Sequence, residues 1–192
     1  MPFTPFHLGP ALLFGFLFFQ HLDFPTFLIA NVIVDLEPFL ILVLRLDLPL
    51  HGFFHSFPGG TIVALALAWA MMRGAVFLKP VMGFFRLEQE HQPRGVFAAA
   101  LSGVYLHILL DARLYTDIAP FYPLSANPLL SGSMFAGFEV YTFCVISGLA
   151  GVVLYFVRIR KGRGRPRSEF KAGTGSSDVE VEGCGEGRDG EL

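Results

Sequence analysis

The run FPTFLIANVIVDLEPFLILVLRL, from Phe24 to Leu46, decides how this chain folds. A bilayer core takes about 20 helical residues, and this run is long and apolar enough to cross one. Its middle, however, carries Asp35, Glu37 and Pro38. Carboxylates at membrane depth are costly unless they meet a partner, and proline disfavours the helical conformation in the residue before it. The expectation is a membrane helix with a break near Asp35–Pro38, Glu37 being extended so that Asp35 and Glu37 share one side. Irregular backbone at that depth is tolerated where it is buried in protein or lines a cavity.

The rest of the chain supports a membrane setting. Of 192 residues 53% are hydrophobic and 22 are Phe, and the mean hydropathy is +0.56, too apolar for an ordinary soluble domain of this length. The net charge of -2 hides a segregation, because residues 158–192 hold eight of the 14 Lys and Arg and seven of the 16 acids. Residues 1–157 are therefore read as a membrane-embedded helical domain, and residues 158–192 as a basic-then-acidic cytoplasmic tail, disordered from about Gly162. Cys144 lies in an apolar run and Cys184 in the tail, so no disulfide is expected. Met1 to His7 carries no Lys or Arg, and no small-residue cleavage pattern follows, so the start is not read as a removable signal peptide.

Working outward from Phe24–Leu46, the apolar runs Leu8–Leu22, Thr61–Met82, Gly95–Leu110 and Phe135–Val157 complete an all-α polytopic membrane bundle of about five transmembrane segments. Asp23 suits the cap of the second helix, with Pro25 in its first turn. Tyr115, Phe121 and Tyr122, in the Pro- and Asn-rich loop after the fourth segment, suit headgroup level. The six basic residues from Arg158 to Arg167 assign the end of the last segment to the cytoplasm, and Lys79, Arg86 and Arg94 assign the loop after the third segment to the same side. The N-terminus and the loops after the second and fourth segments then face outward across the cell membrane.

On that outer side His51-Gly52-Phe53-Phe54-His55-Ser56 presents two histidines spaced i and i+4, and His107 and Asp111 repeat the spacing. With His7, Asp35 and Glu37, seven ionisable groups are brought into one half of the bilayer, while His21 and His91 fall on the other side and read as interfacial. Imidazole and carboxylate together suit a divalent metal, zinc first, with manganese or iron as alternatives. Four histidines and three carboxylates exceed one tetrahedral shell. They leave open a two-metal site or a single metal with orienting groups and a general base. Asp35 and Glu37 are the acid–base candidates. Ser56 is carried as a nucleophile, although without a G-x-S-x-G turn a helix-cap role fits it better. Arg73 and Lys79 read as snorkelling cations. The basic tail reads as a topology signal and then as an anionic-lipid contact, so the bilayer is the expected partner and nucleic acid is not.

Taken together, these motifs resemble the small membrane-bound metal-dependent hydrolases, the group that includes the LexA-binding inner-membrane-associated hydrolases. The opening Met1–His7 is similar to the start of a related membrane family. The shared pattern is an early His, a P-D-x-D after an apolar helix, an H-R-G-x-x-H-S stretch and a late H-x-x-x-D. It is met here by His7, Val34-Asp35-Leu36-Glu37, His51 to Ser56, and His107 to Asp111, over residues 1 to about 130. Val34 replaces the Pro, Glu37 replaces the second Asp, and Gly52 follows His51 where the family carries an Arg. The resemblance implies a polytopic helical fold, a bound divalent metal and hydrolase activity. Hydrolysis of an ester or phosphoester, on a lipid-like substrate near the extracytoplasmic leaflet, is the expected function. The alternatives are a metal-ion or proton transporter or channel, and a non-catalytic membrane protein with a structural polar network. A permeation path must reach both sides, and the inner halves of the segments offer only His21 and His91.

Overall fold

The computed structural model describes residues 5–163, so the tail beyond Arg163 and its expected disorder lie outside the described residues. Among the described residues the fold has seven α-helices: α1 (Leu8–Leu17), α2 (Phe24–Ile33), α3 (Leu36–Val43), α4 (Phe57–Gly74), α5 (Lys79–Phe84), α6 (Pro93–Ala112) and α7 (Ala136–Arg163). Short 3-10 turns, Pro5–His7 and Phe53–His55, lead into α1 and α4. There is no strand among the described residues.

Local chemistry sets these boundaries. Asp23 holds an extended backbone and accepts from the Thr26 N–H, with Pro25 in the first turn of α2, where a missing N–H does no harm. Ser56 does the same for α4: its hydroxyl accepts from the Gly59 N–H at 3.1 Å and donates to the Phe53 carbonyl at 2.6 Å.

The break near Pro38 takes a different form from the extended one expected. Val34 and Asp35 remain right-handed helical, and Asp35 and Glu37 donate to the carbonyls three residues back, those of Val32 and Val34, each at 3.1 Å. The tightened turn starts a new helix just before the proline, so Pro38 lies in the first turn of α3 and its ring meets no strain. Glu37 is therefore helical, and Asp35 and Glu37 point to different sides, as residues two apart on a helix must.

Among the described residues three helical stretches are long and apolar enough to cross a membrane: Phe24–Val43, Pro93–Ala112 and Ala136–Lys161. They mark a membrane protein. A fourth span exists if α4 and α5 are counted together across a bend of 69°. That bend replaces the single segment expected through Met82; it runs through a 3-10 turn, Ala75–Leu78, with Pro80 at the start of α5. The first of the five expected spans is shorter than a bilayer core. Ten residues of α1 rise about 15 Å, because the chain turns at Phe18 and Gln20-His21 end the apolar run.

The bundle is organised around α6, against which α2 and α4 pack, while α1 lies along α7. Val96, Ala99, Ala100, Val104 and Ile108 of α6 are fully buried. At Gly103 a Cβ would stand 2.6 Å from that of Ala30, so the missing side chain lets α2 and α6 close together, the usual means of helix association inside lipid. The start of α1, the α2–α3 junction, the start of α4 and the end of α6 consequently meet at one end. At the other end the Asp23 N–H donates to the Gly95 carbonyl at 3.2 Å, and Arg158 of α7 stacks on Phe19 at 3.6 Å. His91 is fastened there as well, its Nδ1 bonding the Asp23 carboxylate.

Candidate metal centre

Four places in the chain contribute the polar groups, three where a helix begins or breaks and one where a helix ends. The 3-10 turn before α1 supplies His7, the α2–α3 junction Asp35, the turn before α4 His55, and the last turn of α6 His107 and Asp111. One ligand atom from each of Asp35, His55, His107 and Asp111 lies within 4.8 Å of the others. Both histidines are fully buried, and Asp35 and Asp111 are 4% and 3% exposed. Metal bonds to nitrogen or oxygen are about 2.0–2.2 Å long, so a small contraction closes these four atoms around one ion.

The imidazoles are oriented from behind. His107 Nδ1 donates to the Asn31 carbonyl at 2.8 Å, and His55 Nδ1 donates to Glu37 Oε2 at 2.9 Å. In a neutral ring this leaves each Nε2 with a free lone pair. Both Nε2 atoms are buried without a hydrogen-bond partner. His107 Nε2 comes within 3.3 Å of Asp111 and 3.5 Å of Asp35, yet it aligns with neither as a hydrogen bond. Buried polar atoms are rarely left unpaired, and convergence without hydrogen-bond alignment is what a ligand set presents. The charge balance agrees, since two carboxylates and two neutral imidazoles around a divalent ion sum to zero, the least costly total at membrane depth.

The remaining expected residues take other places. His7 Nε2 lies 3.0 Å from Asp111 Oδ1, and its ring packs on that of His107 with centroids 4.3 Å apart, so it borders the cluster through Asp111. Glu37 stands behind His55, and its Oε1 also accepts from the Phe54 N–H at 3.4 Å. His51 is buried beside His55, their ring centroids 4.8 Å apart at 80°, but its Nδ1 donates to Asp117 at 2.9 Å and its ring packs on Tyr115. Ser56 commits its hydroxyl to the start of α4.

Gly52 explains how Glu37 reaches His55. A Cβ on Gly52 would lie 2.5 Å from Glu37 Oε1, so the carboxylate occupies the space a side chain would fill. Burial holds the His55 imidazole below its ordinary pKa, outweighing the rise from its bond to Glu37, and so favours the neutral, metal-binding form. Burial raises the Asp117 carboxyl, but the bond to His51 more than offsets this and leaves it below the usual range.

Asn31 and Asp117 were not singled out from the sequence. Asn31 acts through its backbone carbonyl, which carries no sequence signal, and Asp117 lies in an aperiodic loop and offers none either. No protein-family model, curated protein or solved structure matches the chain.

Proposed function

We propose that this chain is a membrane-embedded metal-dependent hydrolase, its divalent ion held by Asp35, His55, His107 and Asp111, acting on an ester or phosphoester of a lipid-like molecule at the extracytoplasmic leaflet. The observation that carries the reading is the pair of buried, unpartnered Nε2 atoms of His55 and His107, in two residues whose ligand atoms gather within 4.8 Å with those of Asp35 and Asp111. The nitrogen and oxygen donor set suits zinc, and also manganese or iron. These four residues would hold an ion that, when bound, would supply Lewis-acid chemistry toward a carbonyl or phosphoryl group and an acidified water molecule.

The chain's own groups have separate tasks. Glu37 and the Asn31 carbonyl fix the ring orientations of His55 and His107. His7 steadies Asp111 through Oδ1. Asp35, with His107 beside one oxygen, is the proton acceptor. Glu37 is a positioning residue, and Ser56 is a helix cap. Asp35 is twelfth of the 20 residues in the Phe24–Val43 span, which favours a substrate that enters from lipid.

A through-membrane path is the weaker alternative. Between the cluster and the Asp23–His91 pair the core is packed with Phe27, Ala30, Val96, Ala99 and Ala100, all 2% exposed or less. The test is hydrolysis by the purified full chain of short-chain acyl esters and of lipid phosphoesters, after chelation and after return of zinc or manganese. Chelator-sensitive turnover lost in His55→Ala supports the proposal; turnover indifferent to chelation and to His55 overturns it.

A further inference from the structure

The opposite end of the bundle holds a second feature that the hydrolase reading does not use. An apolar crevice of about 350 Å³ runs between Leu12 of α1, Phe24 at the start of α2, Val81 and Met82 of α5, and Val152 and Tyr155 of α7. This falls within the ~300–1,000 Å³ typical of small-molecule sites. Four separate helices wall it, unlike the single face that any membrane helix turns to lipid. Its one polar side chain is turned away, the Tyr155 hydroxyl donating to the Phe85 carbonyl at 3.3 Å. Met82 and Leu87 also border an adjoining cleft of about 200 Å³ whose rim carries Lys79, Glu88, Gln89 and His91. An apolar space thus opens onto a polar mouth, which is the outline of an amphiphile.

The charge around that mouth selects the amphiphile. Lys79 stands at the rim, Arg86 and Arg94 belong to the same connecting region, and Arg158 ends the α7 wall. Among the described residues none of these four forms an ion pair, the one Arg or Lys pair being Arg113 with Glu139. Glu88 and Glu90 offset part of this charge, and Asp23 is already held by Thr26 and His91. The surplus is positive, and basic residues at a membrane surface attract anionic lipids. The site lies far from the metal centre: Gly95, beside Asp23, and His107, in the cluster, are twelve residues apart on α6, about 18 Å along the helix.

We infer that the crevice binds one acyl chain of an anionic glycerophospholipid from the leaflet facing the basic end, with its phosphate at Lys79. The bent α5 holds the lipid against α1 and α7, and this binding is independent of any chemistry at the metal centre.

Native mass spectrometry of the detergent-solubilised full chain tests this, with phosphatidylglycerol, phosphatidylcholine or inorganic phosphate added. One phosphatidylglycerol retained per chain is expected, preferred over phosphatidylcholine by about fivefold, the factor one basic residue near an anionic surface supplies. Lys79→Gln removes that preference, and Val152→Trp, which fills the crevice, removes retention. Equal retention of both lipids, full competition by inorganic phosphate, or unchanged retention in Val152→Trp overturns the proposal. Should the Trp variant not fold, wild-type chain photolabelled with a diazirine-tailed phosphatidylglycerol decides. Adducts concentrated at Val81, Met82 and Val152 support it, and adducts spread along the outer face of α7 overturn it.

Discussion

Glu37 and His55, eighteen residues apart in sequence, meet at 2.9 Å between Oε2 and Nδ1, and the meeting depends on the missing side chain at Gly52. A carboxylate behind an imidazole fixes its tautomer and raises its strength as a ligand, and removing such a partner costs about 10–100-fold in metal affinity. Glu37→Gln should therefore weaken zinc binding by about that factor in a chelator-competition titration, with the helical content unchanged. Unaltered affinity would remove Glu37 from the site.

Gly52→Ala puts a Cβ 2.5 Å from Glu37 Oε1 and must displace that carboxylate. It should lower metal affinity nearly as far as Glu37→Gln, and the double variant should be little worse than either, since residues acting through one contact do not add. Fully additive losses would show that Gly52 acts by another route.

Ser56 gives a test that separates a cap from a nucleophile. Ser56→Ala should lower thermal stability by about 1 kcal/mol through loss of the α4 cap. Metal content and any measured turnover should stay at the wild-type level. Loss of turnover at undiminished stability would restore the nucleophile.

Asp111 is 3% exposed and faces both His7 and His107. Asp111→Ala leaves the buried His7 Nε2 without its partner, at a cost of about 1–3 kcal/mol in the metal-free protein. The variant should also lose the metal, so its melting temperature should no longer respond to added zinc. A melting temperature that still rises with zinc would place the ion elsewhere.

Acid should act through His55. Burial holds its pKa below the ordinary value of about 6.5, with the Glu37 bond opposing, so the folded ring stays neutral where an unfolded one is half protonated. Stability of the metal-free fold should therefore fall as the pH drops below 6.5, because the unfolded chain takes up the proton first. The metal should be retained at pH 6.5 and released only at lower pH. Stability that rises on acidification through this range would contradict the sign.

Much of this architecture was legible in the residues, and what was not has physical causes. The apolar runs and the caps Asp23 and Pro25 located α2, α6 and α7, and the i, i+4 spacing placed His107 and Asp111 on one face. The proline rule foresaw a break at Pro38 but misjudged its form, since a tightened helical turn satisfies the backbone as well as an extended one. That difference separates Asp35, in the cluster, from Glu37, behind it. The span count failed at α1, where polar Gln20-His21 stop the helix before it reaches bilayer length. The Asn31 carbonyl could not be read as a partner of His107, because every residue carries one and only the packing of α2 on α6 selects it. The role of Gly52 needed coordinates, since an empty volume has no sequence signature.

The proposed centre holds one divalent ion among Asp35, His55, His107 and Asp111. Elemental analysis of the full chain, purified without added chelator, tests it most directly. One zinc, manganese or iron ion per chain is predicted, lost together in His55→Ala and in His107→Ala while both variants stay folded by circular dichroism. A wild-type chain that carries no metal and takes none up, or a full complement of metal in folded His55→Ala or His107→Ala, would contradict it.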